Sequence, residues 1–146
     1  MNGRSPCSAP PPARLSCDSP GRPAKARRLL DSILLASPEE RYEFFLTSVA
    51  RGGAVWALHC EEGWLFGEAA SGELIFPVWP SARAALGSAE LLSHAPAAIS
   101  SEEWIDVWLQ CLACEQSQVG VFPTLTSPGT AVHPGILWAQ LVERLP

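Results

Sequence analysis

Phe76-Pro77-Val78-Trp79-Pro80 closes an apolar run that otherwise reads as a strand, and its first proline restricts every sheet this chain can build. Proline has no amide hydrogen to give to a ladder. A strand containing Pro77 is therefore expected at a sheet edge, or to leave the sheet at that point. Pro80 biases Trp79 towards an extended backbone. A large aromatic held at such a corner can anchor a partner, or it can plug the core beneath the helix that follows.

The runs before the corner share its apolar character. Residues 54–60 (AVWALHC) and 64–68 (WLFGE) read as strands joined by Glu61-Glu62-Gly63, and Ser71-Gly72 turns the chain into residues 73–78 (ELIFPV). Together they predict a three-strand antiparallel meander. The runs are apolar on both faces instead of alternating, so helices or a second subunit should cover the second face. Residues 118–123 (QVGVFP) read as a fourth strand and Thr130 to Val132 as a short fifth, with Pro128-Gly129 turning between them.

Helix signals surround these strands. Ser37 as N-cap, Pro38 in the first turn and Glu40 three residues after the cap predict a capping box, and Tyr42, Phe45, Leu46 and Val49 keep helical spacing until Gly52-Gly53. Residues 81–92 are rich in Ala and Leu and are predicted helical. Ser100 and Glu103 predict a second capping box, ahead of a helix carrying Trp104, Ile105, Val107, Trp108, Leu109, Cys111 and Leu112. Pro134 opens a last helix whose inner stripe is expected to be Leu137, Trp138, Leu141 and Val142. The fold class is α+β: one domain over 37–146, with a mostly antiparallel sheet of four or five strands packed by helices.

The N-terminal stretch differs. Residues 1–24 contain six prolines and few large apolar side chains, which predicts a disordered Pro/Arg-rich tail. Ala26, Leu29, Leu30, Ile33 and Leu34 then predict a short appended helix over 25–36. The net charge of −5 hides an uneven distribution: Arg4, Arg14, Arg22, Lys25, Arg27 and Arg28 precede a remainder with four arginines and fourteen carboxylates. An acidic domain is expected to repel nucleic acid and anionic membrane, and no apolar run is long enough to span a bilayer. The expected compartment is the cytoplasm. Cys7, Cys17, Cys60, Cys111 and Cys114 form an odd set that makes a poor disulfide framework and fits reduced thiols.

Catalytic patterns are sparse. Cys111-Leu-Ala-Cys114 has redox or zinc spacing, but it falls at the end of a helix, where the dipole disfavours thiolate. His59 and Cys60 end a strand beside Glu61 and Glu62; adjacent strand residues point to opposite faces, so a Cys-His pair would need Cys60 with His94 or His133. The paired carboxylates Glu39-Glu40, Glu61-Glu62 and Glu102-Glu103 are accounted for by helix caps and a turn. No nucleophile elbow or phosphate loop is present, and neither a metal nor a cofactor is expected.

Ser37-Pro-Glu-Glu-Arg-Tyr-Glu-Phe-Phe45, Val55-Trp56-Ala57-Leu58, Glu62-Gly63-Trp64, Phe76-Pro77-Val78-Trp79-Pro80 and Val121-Phe122-Pro123-Thr124 together resemble the bacterial family catalogued as domain of unknown function 2750. The likeness runs from about Ser37 to about Glu143. It implies a small cytoplasmic α+β domain with no assigned catalytic residue. The expected function is then a non-catalytic binding or adaptor domain, self-associating or with a protein partner, acting through the corner: Trp79, Pro77 and Pro80 with Trp56 and Trp64. Two alternatives stand beside it. One is a thiol-dependent or metal-binding enzyme using Cys60, His59 and His133 or the Cys111/Cys114 pair; the other is a toxin-neutralising protein facing a basic partner.

Overall fold

A computed structural model describes residues 32–145. The expected tail over 1–24 and the first part of the expected helix over 25–36 lie outside the described residues; Ser32 to Leu34 are helical, and Ile33 and Leu34 pack against the core.

The first full helix, α1 (Pro38–Ala50), begins as the sequence predicts. The Ser37 hydroxyl accepts from the Glu40 amide, and the Glu40 carboxylate accepts from the Ser37 amide in return. Then come β1 (Val55–Cys60), β2 (Gly63–Trp64), β3 (Gly67–Glu68), β4 (Leu74–Val78), α2 (Ala82–Leu92) and β5 (Ala95–Ile99). A long helical stretch follows in three parts: α3 (Ser101–Glu103), a π-helical segment (Trp104–Trp108) and α4 (Leu109–Cys114). Strands β6 (Gln118–Val121) and β7 (Thr130–Val132) and the last helix, α5 (Pro134–Arg144), complete the fold.

The chain is α+β, with two sheets ordered β2-β1-β5 and β3-β4-β6-β7. All pairs are antiparallel except β4 with β6. The two hairpins of the expected meander form, but the middle run is divided: Gly63 and Trp64 pair with β1, whereas Gly67 and Glu68 pair with β4. The sheets meet where Trp56 and Trp79 exchange two backbone hydrogen bonds of 2.8 and 2.9 Å.

Pro77 does not lie on an edge strand, because β4 has β3 on one side and β6 on the other. Its tolerance has a local cause. The Val78 carbonyl accepts from the Phe122 amide on the β6 side, so Pro77, one residue earlier, faces the opposite side with Ile75 and Trp79. On that side Ile75 pairs with β3 and Trp79 with β1. Pro77 therefore occupies the gap where the ladder changes partner, and its missing donor is not needed.

Helix α2 lies against β1 and β5, while α1 and α4 pack against β6 and α5 packs against both of those helices. Phe45, Phe76, Trp79, Trp104 and Phe122 fill the core between them. The last helix corrects one expectation. Leu137 and Leu141 are fully buried, but Trp138 and Val142 remain 41% and 38% exposed. The inner stripe is narrower than the sequence suggests, because α5 meets its neighbours along one line of contacts only. Among the described residues no helix is long and apolar enough to cross a membrane.

Candidate functional site

The carboxyl ends of the parallel strands β4 and β6 meet the first turn of α1, and a buried arginine stands at the meeting point. The capping box fixes the start of α1 and places Arg41 one and two α-turns before Phe45 and Val49, on the helix's inner face. Arg41 is 2% exposed. Its Nε donates to the Phe122 carbonyl at 3.0 Å, Nη1 to the Ala36 carbonyl at 2.8 Å and Nη2 to the Ser127 hydroxyl at 2.8 Å. The guanidinium also lies 5.8 Å from the centre of the Phe122 ring. Burial lowers its pKa from the ordinary arginine value, and the nearby Glu39 carboxylate opposes that shift. The planar fork holds three separate stretches of chain at once.

Phe122 is held from every side. Its φ is +56°, a left-handed conformation that a bulky residue adopts only under constraint. Its amide is fixed by Val78, its carbonyl by Arg41, and its ring meets Phe44 edge-on at 6.4 Å. The next carbonyl, that of Pro123, accepts from the Trp79 indole nitrogen at 2.8 Å. The loop beyond turns tightly through Gly129, whose φ of +79° suits glycine and where a Cβ would meet the Val121 carbonyl oxygen at 2.6 Å.

Residues 42–141 match the sequence profile of a family described as Protein of unknown function (DUF2750). The chain belongs to that family. No curated protein and no solved structure matches it. In this DUF2750 domain, three separated stretches of chain converge at one junction: Arg41, one residue before the matched span, then Trp79, and Phe122 with Pro123. Sequence reading missed Arg41. The signal was its place in line with Phe45 and Val49, hidden by the usual assignment of arginine to the solvent face.

The candidate residues of the corner differ in exposure. Trp79 is 1% exposed, Trp64 3% and Pro80 buried, whereas Trp56 and Pro77 are half-buried. His59 packs edge-on against Trp64 at 4.8 Å; burial and then the nearby His94 push its pKa below the ordinary imidazole value. The β1–β5 register that pairs His59 with Ala95 brings position 94 alongside Cys60. His133 instead caps α5, its Nδ1 accepting from the Gly135 amide at 2.9 Å. Cys60 and Cys114 are free, whereas Cys111 is disulfide-bonded, so the expectation of reduced thiols does not hold at Cys111. The two cysteines of the C-x-x-C pattern are accordingly not bonded to each other. Among the described residues no cluster of three or more His, Cys, Asp or Glu could hold a metal ion.

Proposed function

We propose that this domain works by binding a protein partner, and that Trp138, Val142 and Leu145 form the centre of the contact surface. One observation carries the reading. Trp138 and Val142 stand one turn apart on α5, Leu145 follows at its C-cap, and the three are 41%, 38% and 41% exposed. Tryptophan is among the side chains enriched at interface hot spots. The acidity of the chain after residue 28 favours a basic partner. A toxin-neutralising role is the special case in which that partner is a toxin. In this reading Trp79, Pro80 and Trp64 are core residues, and Trp56 and Pro77 are the half-buried residues of the corner accessible to a partner.

The test uses the full chain and its Trp138→Asp variant as baits in the same cell extract, with circular dichroism showing both folded. A basic protein retained by the first and released by the second supports the proposal. Equal retention by both baits, or none by either, removes it. Sedimentation of the two proteins separates self-association from binding to a different partner.

A second reading, a thiol-dependent enzyme, is favoured by the placement of the free, half-buried Cys60 beside position 94. It requires that Cys60 react with iodoacetamide at neutral pH faster than Cys114, which is free and exposed at a helix end. An equal or slower rate at Cys60 excludes it.

A further inference from the structure

An indole nitrogen only donates; it has no lone pair with which to accept. Trp104 and Trp108 both have this nitrogen buried, and among the described residues neither has a hydrogen-bond partner. Leaving such a donor unsatisfied forfeits its hydration without compensation, so two neighbouring cases in one cluster need a physical account. Both residues belong to the π-helical segment, a distortion that recurs at functional sites because it re-aims side chains from a helix face.

The surrounding rings narrow the options. Trp104 lies nearly parallel to Phe76, with 24° between planes, and to Trp108, with 27°. Because an indole N–H points within its own ring plane, it cannot aim at the face of a ring stacked parallel to it. Trp108 is also nearly parallel to Phe76, at 21°, and only Trp64 stands edge-on to it, at 81° and 5.1 Å. Among the described residues, therefore, no ring in contact with Trp104 offers a face to its donor. The cluster lies just beneath the surface, since Trp64 and Trp108 are each 3% exposed and the half-buried His59 covers Trp64.

We infer that Trp104 and Trp108 form a paired donor site for a compact oxygen acceptor held within the aromatic cluster: a carbonyl or carboxylate oxygen of a small molecule, or a water molecule. Two buried indole donors with no acceptor among the described residues suit an occupant that brings its own oxygen acceptor. This site is separate from the proposed surface on α5, and either can fail without the other.

The test is a proton–nitrogen correlation spectrum of the labelled full chain, in which the six tryptophans give six indole signals. Trp104→Phe and Trp108→Phe variants assign two of them; through-bond assignment of the unmodified protein does so if a variant fails to fold. Hydrogen-bonded, downfield positions for both signals support the site. Contacts from both to bound water identify water as the occupant, and a retained small-molecule mass in native mass spectrometry identifies a ligand. Upfield, ring-shielded positions for both, with no water contact and no retained mass, overturn it.

Discussion

A charged side chain in a core is costly unless its hydrogen bonds are made, and Arg41 makes three to neutral acceptors. Arg41→Ala leaves the Phe122 carbonyl without this donor and frees Ser127 and Ala36. Destabilisation on the order of 3 kcal/mol is expected in urea unfolding. Arg41→Lys restores the charge but not the fork, so it recovers less than half of that loss. His59 carries the pH dependence at this scale. Its folded pKa is lowered below 6.5, so between the two values the unfolded chain binds the proton more readily than the folded one. Its contribution is complete above about pH 6.5, falls as pH drops through that window, and is gone below the folded pKa. The urea midpoint should fall between pH 7.5 and pH 5 by more in the wild type than in His59→Asn; identical falls would exclude His59 as the source.

Elements with a strong local signal were readable, and those defined by long-range pairing were not. The capping box at Ser37, the helix after Ser81 and the helix opened by Pro134 all start where the residues predict. Strand β5 escaped sequence reading because Ala95-Pro96-Ala97-Ala98-Ile99 is small and proline-containing; only its five-residue register with β1 makes it a strand. The π-helical segment left no trace either, since the Trp104, Ile105 and Trp108 spacing fits an α-helix as well. Pro77 shows how far a local rule reaches. The missing amide predicted an edge or a departure from the sheet, yet a proline needs only an unpaired side at one residue, which the change from β3 to β1 provides. Pro77→Ala should cost at most about 1 kcal/mol, through the freer unfolded chain. Val78→Pro, one residue on, places the ring on the side paired with β6 and should cost about 3 kcal/mol or more. Equal losses for the two, measured by chemical denaturation, would refute this account of the strand.

At the scale of the whole molecule, two small sheets behave as one domain only if something couples them, and Trp79 is placed to do so. Its backbone bonds β1 of the first sheet, it directly follows β4 of the second, and its indole reaches the Pro123 carbonyl beyond β6. Burying the ring at 1% exposure adds the apolar term to this coupling. Trp79→Phe keeps most of the buried area but leaves the Pro123 carbonyl without its indole partner, a loss of about 1–3 kcal/mol. Trp79→Ala also opens a cavity, for a total of about 3–5 kcal/mol. The two substitutions should also differ in cooperativity. With phenylalanine in place, near-ultraviolet and far-ultraviolet signals should still report one coincident transition. With alanine, amide exchange should quicken first where the sheets meet, in β1 around Trp56 and in β4 around Val78, before the strands farther from the junction, β2 and β7. Uniform acceleration in both sheets would mean that the backbone bridge between Trp56 and position 79 couples them without the indole.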